Sequence, residues 1–223
     1  MLNITLKSLP EAELAAFQTH QSGNNCAVHA ITAAVKLLVG TKILPAALSA
    51  EVDRLWRRGR FFRLFPGWSI TPGMQARLVN FLARSHNLPL QAQLKHLAPE
   101  ALPGLLQAHN QALLLTFTWL PGKAPALYHG TSATNYNATH KAGGHTMLLA
   151  AYNPEHRSGN HPTPWGFINS WVEGGPELFW MQDDDLRNAW NVVFFPLNLR
   201  LSVIIKKTSN DEYETDKITN RTC

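Results

Sequence analysis

The sequence predicts an α+β fold in which helices come first and strands follow. Apolar residues in the first half recur at three- and four-residue spacing, the pattern of a helix with one buried face. From about residue 111 they gather instead into short runs rich in β-branched and aromatic side chains, bounded by Gly, Pro, Asn and Asp. Helices segregated from an antiparallel sheet make two packed lobes around one core. The third observation is size: 223 residues, 45% of them apolar, suit one domain of two lobes.

Residues 1–20 are a mixed polar lead-in. CAVHAITAAVKLLV (26–39) predicts a strong helix, with Ala27, Ile31, Ala34 and Leu38 at helical spacing. Asn24 or Asn25 is its expected cap, and Gly40 its stop. A second helix is expected at about 48–58, capped by Ser49 and ended by Gly59. A third spans 71–86, with Thr71 as cap, Pro72 in the first turn, and Leu78, Phe81 and Leu82 facing a core. LPLQAQL reads as a short strand. A helix at about 98–109 follows, weakened by Pro103.

The expected strands are 112–120, 145–152, 165–171, 177–182, 191–195 and 199–205, with a short helix starting at Asp183. Residues 121–144 show no clear element, and a loop of that length in a compact domain is usually functional or mobile. The expected division is a single domain over 1–205, with a helical lobe at about 1–110 and a β lobe at about 111–205. The polar residues 206–223 are an expected disordered tail.

Composition narrows the function classes. The two cysteines, Cys26 and Cys223, exclude a disulfide scaffold and a thiolate-built zinc site. The net charge of +5 is scattered. Its densest cluster is Arg54, Arg57, Arg58, Arg60 and Arg63, interleaved with Trp56, Phe61 and Phe62. Such a run binds phosphates in some proteins, but it reads more simply as a solvated helix face with its aromatics turned inward. Nucleic acid is therefore not the expected partner. No stretch of about 18 apolar residues predicts a membrane span. The first residues do not resemble a secretory signal, so the expected location is the cytoplasm, or another cell reached by a route needing no such signal.

The residues that carry chemistry are far apart in the chain. Cys26 opens the first strong helix, where the dipole and free N–H groups favour a thiolate. Gln21, five residues upstream across the turn-forming SGNN, is placed to donate to an oxyanion beside the sulfur. A thiol nucleophile needs a base and a group that orients it. His145 begins a strand after Gly143 and Gly144, which remove bulk beside the ring. Asn169 lies in the next strand, where its carbonyl oxygen could accept the imidazole N–H and aim the other nitrogen at Cys26.

The string Gln21, Cys26 at a helix start, GGHTMLLAAY and FINSW resembles the papain-like cysteine peptidases, in the order Gln, Cys, His, Asn. Cys26 precedes His145 by 119 residues and Asn169 by 143, against about 130–150 in the papain pattern. LPGLLQAHNQALLLTFTW before the GGH element resembles the C39-like branch of that superfamily. The likeness covers roughly residues 18–205. The family's Cys-Gly-Ser/Ala-Cys motif is absent, and Gln21 stands one residue closer to the cysteine than in papain.

The resemblance implies a papain-like two-lobed fold and a cysteine peptidase acting on peptide or isopeptide bonds. Cys26, His145, Asn169 and Gln21 would be catalytic. Gly143, Gly144 and Trp171 would lie on the substrate side, with Trp171 covering the Asn–His pair. The expected partner is a peptide or protein substrate, with no cofactor and no metal. A transglutaminase or acyltransferase on the same fold, or an inactive peptide-binding module, stays open.

The remaining signals have plainer readings. Cys26 and His29 share a helix face, and His129, His140, His156 and His161 could add metal ligands. Their spacing fits no standard zinc pattern, so His29 is expected to pack or hydrogen-bond behind the nucleophile helix. Trp165, Trp180 and Trp190 are expected in the core.

Overall fold

The computed structural model describes residues 3–59, 70–190, 192–194 and 197–208, of which 192–194 and 197–199 are described as backbone. The chain is α+β. Its helices are α1 (Glu11–Ala15), α2 (Cys26–Val39), α3 (Pro45–Arg57), α4 (Pro72–Ser85), α5 (Leu102–Leu106) and α6 (Asp183–Ala189). Its strands are β1 (Ile4–Thr5), β2 (Leu90–His96), β3 (Gln111–Trp119), β4 (Tyr128–His129), β5 (Gly143–Tyr152), β6 (Arg157–Ser158), β7 (His161–Pro162), β8 (Trp165–Ile168), β9 (Phe179–Met181), β10 (Val192–Phe194), β11 (Leu197–Leu199) and β12 (Leu201–Lys207).

Helix α2 is apolar almost all round, and a helix of that pattern belongs inside a protein. Every residue from Cys26 to Val35 is buried, as are Leu37 and Leu38. Gly40 ends it in the left-handed conformation, φ 74°, where a side chain would be strained. Helix α3 begins at Pro45, earlier than the expected Ser49 cap. Proline at the first position loses no useful N–H there, and the Ser49 hydroxyl instead accepts from the Asn25 side chain. Helix α4 keeps its expected cap, with the Met74 N–H donating to Thr71 Oγ1 at 3.4 Å.

The main sheet has eight strands in the order β2-β12-β3-β5-β8-β9-β4, and β1 adds to β5. Its pairings are antiparallel. Two of its strands, β1 and β2, come from the helix-rich first half. β12 runs to Lys207, two residues beyond the predicted strand end, while 209–223 lie outside the described residues. Helix α2 packs on the middle of the sheet against β5, β3 and β12, with α4 beside it against β2 and β12. The core lies on both faces of the sheet: Ile31, Val35, Leu114 and Leu148 lie between it and these helices, and Phe167 packs on Phe117 on the opposite face.

The segment 121–144 is built rather than slack. The Leu127 N–H donates to Asn135 Oδ1, Asn137 Nδ2 donates to the Pro125 carbonyl, and the Ala126 N–H donates to Asp185 on α6. The β6–β7 hairpin ties to it through Ser158 Oγ, which donates to the Gly130 carbonyl at 2.8 Å.

The expected inward turn of the aromatics at the end of α3 does not hold for Trp56, which is exposed. It sits on the last turn of α3, four residues past Val52, where the buried stripe of Leu48, Val52 and Leu55 ends. Arg54 pairs with Glu51 on the same helix; Arg60, Phe61, Phe62 and Arg63 lie outside the described residues. Trp165, Trp180 and Trp190 are core residues.

Candidate active site

Three elements meet at one point: the start of α2, the start of β5, and the end of β8 with the residues after it. Position follows from register. β5 pairs with β8 at Leu148↔Ile168 and Leu149↔Phe167, then shifts across a bulge to Ala151↔Gly166. A one-residue slip would turn every side chain to the other face. Continued past Ile168, this register sets Trp171 across from His145, with Asn169 two residues away on the same face.

The contacts agree. His145 Nε2 lies 2.6 Å from Asn169 Oδ1. The Ser170 backbone N–H donates to the same oxygen at 2.7 Å. A backbone N–H can only donate, so Oδ1 is the acceptor and His145 Nε2 carries the hydrogen. That leaves Nδ1 outside this bond. The Trp171 ring stacks on the imidazole, centroids 4.7 Å apart and planes 27° from parallel. This indole screens the hydrogen bond from water, where it would weaken.

Cys26 is the first residue of α2, whose first turn holds no acidic residue and no side-chain cap. The positive end of the helix dipole therefore falls on the sulfur without an opposing carboxylate in that turn. The Thr146 N–H, one residue past His145, donates to Sγ at 3.4 Å. This bond is available because the paired stretch of β8 begins only opposite Leu148. Cys26 is 3% exposed, His145 4% and Asn169 2%, so their mutual interactions act in a medium less polar than water.

Gln21 is held beside this group. Its backbone N–H donates to the Ser170 carbonyl at 2.7 Å, its Oε1 accepts from Ser170 Oγ at 2.5 Å, and its Nε2 donates to the Gly23 carbonyl at 3.1 Å. Gly143 and Gly144 are exposed where β5 begins. A Cβ on Gly143 would stand 2.6 Å from the Trp119 indole, so this glycine makes room for a ring on the neighbouring strand β3.

Several supporting residues carried no sequence signal. Gln18, 1% exposed, donates to the carbonyls of Gly174 and Glu177 and accepts from the Asn169 N–H. It thus straps the 171–177 turn to the residue that orients His145. Gln75 on α4 donates to the hydroxyls of Thr116 and Thr146, which also pair with each other at 3.0 Å. These bonds pin β5 beside the sulfur. Partners 41 to 159 residues apart leave no local pattern to read.

His29, one turn behind Cys26, bonds through Nδ1 to Thr19 Oγ1 at 2.7 Å, and burial lowers its pKa. The other histidines disperse: His129 stacks on Phe179, His156 on Trp180 and His161 on Tyr128, while His140 is exposed. Among the described residues no three His, Cys, Asp or Glu side chains are grouped to hold a metal ion. Nor is any described helix long and apolar enough to cross a membrane.

No protein-family model matches the chain, and no curated protein matches it. Among solved structures it is similar to a crystal structure of a candidate C39-like peptidase from Bacillus anthracis. That likeness has a TM-score of 0.55 at 12% identity and covers 94% of this chain and 100% of that one. At this identity the likeness is one of architecture, and this chain therefore shares its α+β fold with that candidate peptidase.

Proposed function

We propose that the protein is a cysteine peptidase of papain-like, C39-like type, with residues 1–205 as its catalytic domain. The observation that carries this reading is the His145 Nε2–Asn169 Oδ1 hydrogen bond of 2.6 Å under Trp171, beside a cysteine at a helix start. The bond commits one imidazole nitrogen and leaves Nδ1 for the thiol proton.

In the proposed reaction the Cys26 thiol gives its proton to His145 Nδ1. Sγ bonds to the carbonyl carbon of a peptide or isopeptide, and the carbonyl π pair moves onto oxygen. The Cys26 N–H and the Gln21 carboxamide donate to that oxyanion. His145 Nδ1 returns the proton to the leaving nitrogen as the C–N bond breaks, giving an amine and a thioester. Water then attacks the thioester with His145 as base, releasing the acid and restoring the thiol. Asn169 keeps the ring in one tautomer throughout. Gly143, Gly144 and Trp171 border the approach to the sulfur, where an extended substrate lies.

The test is a peptide-based electrophile that traps cysteine nucleophiles, with mass spectrometry of the peptide containing Cys26, followed by cleavage of a peptide library. Labelling at Cys26, lost with His145→Ala, and cleavage lost with Cys26→Ala are expected. Cleavage that survives Cys26→Ala would overturn the proposal. An amine joined to the acyl product in place of water would make the enzyme a transferase. Labelling without turnover on any peptide would make it a binding module.

A further inference from the structure

We infer that His29 is a positioning residue for the proposed reaction: with Asn169 it holds one buried water behind the His145–Asn169 pair, and that water fixes the carboxamide. The inference rests on the peptidase reading and adds a part to it.

Asn169 Oδ1 is fully used by His145 and Ser170, but the Nδ2 of the same buried carboxamide has no hydrogen-bond partner among the described residues. An N–H buried without an acceptor weakens the state that buries it by roughly 5- to 150-fold. Asn169 cannot escape by flipping its amide, since that would set Nδ2 against the Ser170 N–H, which can only donate. Beside it lies a cavity of about 10 Å³ whose polar lining is Thr19, His29, Thr146, Asn169 and Ser170. That volume is near the minimum for one water, which needs two to four polar partners.

The chemistry of the lining matches. Burial favours the neutral His29 ring, in which one nitrogen is an acceptor, and Nδ1 already meets the Thr19 hydroxyl at 2.7 Å. A water that accepts from Asn169 Nδ2 and donates toward the His29–Thr19 pair satisfies the amide. It also resists rotation of Asn169 away from His145. Since His29 and Cys26 are three apart on α2, the same helix would carry the nucleophile and the support of the group that orients its base.

The test uses the full chain and iodoacetamide, with alkylation of the Cys26 peptide followed against pH by mass spectrometry, so that Cys223 does not interfere. Wild type, His29→Leu, Asn169→Ala and the double variant form a cycle. His29→Leu is expected to slow alkylation about tenfold near neutral pH in the Asn169 background and less than twofold in the Asn169→Ala background. An equal loss in both backgrounds would overturn the inference, because His29 would then act through packing alone. His29→Gln, which keeps an acceptor, is expected to recover most of the rate; failure to do so counts against the water. A high-resolution crystal structure of the wild type is the second measurement. Ordered density within hydrogen-bond reach of Asn169 Nδ2 supports the inference, and a dry cavity overturns it. If wild-type Cys26 reacts no faster than Cys223, the peptidase reading fails and the positioning role falls with it. Fast Cys26 labelling that His29→Leu leaves unchanged sinks the positioning role alone.

Discussion

Replacing Asn169 with alanine strands two donors at once, His145 Nε2–H and the Ser170 N–H, whose bonds to Oδ1 measure 2.6 and 2.7 Å. Both donors are buried, and a buried donor without an acceptor costs about 1–3 kcal/mol. The Ser170 loss falls on stability, and a drop of about 2 kcal/mol is expected in urea unfolding followed by circular dichroism. The His145 loss falls on reactivity, because the ring is no longer held in the tautomer that leaves Nδ1 for the thiol. About 1–3 kcal/mol there corresponds to a roughly 5- to 150-fold slower reaction. The assay is the second-order rate of Cys26 labelling, or kcat/KM once a substrate is found, measured where the variant is folded. A folded Asn169→Ala protein reacting within twofold of wild type would refute the reasoning, since His145 would then need no orienting acceptor.

Other outcomes follow from neighbouring contacts. Trp171→Ala removes the ring stacked 4.7 Å from His145; labelling is expected to slow a few-fold and stability to fall by about 1 kcal/mol, and an unchanged rate would mean that the indole screens nothing. Gln18→Ala breaks three bonds of a buried side chain. It should cost about 1–3 kcal/mol and raise hydrogen exchange across 171–177, and unaltered exchange there would deny its role as a strap. Gly143→Ala drives a methyl into Trp119; overpacking of this kind costs about 1–3 kcal/mol, read as a lowered Tm.

Stability should also depend on pH. Burial lowers the pKa of His29 and of His156, so the unfolded chain binds protons more readily than the folded one. Their contribution is complete above the ordinary value of about 6.5 and is lost as pH falls toward the depressed values. Burial raises the Asp185 carboxyl, which acts in the opposite sense, so the window to read is the one just below the ordinary histidine value of about 6.5. A urea midpoint that falls across this window is expected, and a flat one would show that neither ring is held neutral.

Local rules explain why much of the fold is legible in the sequence. Helix α2 was legible to the residue, because a continuous apolar run closed by Gly40 has one simple solution. Helix α4 was legible from Thr71 and Pro72. α3 was misplaced at its start because Pro45 outranks Ser49 as an opening residue. The expected helix at 98–109 shrank to a 3₁₀ turn, Pro99–Ala101, and the short α5, as Pro103 and Gly104 oppose a longer one. β4 and the β6–β7 hairpin were missed, since their pairing depends on Asn, Ser and Thr side chains bonding to distant backbone.

The residue types of the candidate site were legible from their order along the chain: a cysteine where a helix opens, a histidine where a strand opens after two glycines, an asparagine before a tryptophan. Those are matters of local chain direction and local charge, which neighbours in sequence control. Tertiary structure alone decided that β5 and β8 pair in the register that sets His145 under Trp171 and against Asn169. It alone placed Gln18, Ser170, Thr146 and His29 around them. Some of these contacts join residues more than a hundred positions apart, as Gln18 to Asn169 and Thr146 to Cys26, and their energy depends on burial, a property that exists only once the sheet and α2 have closed on each other.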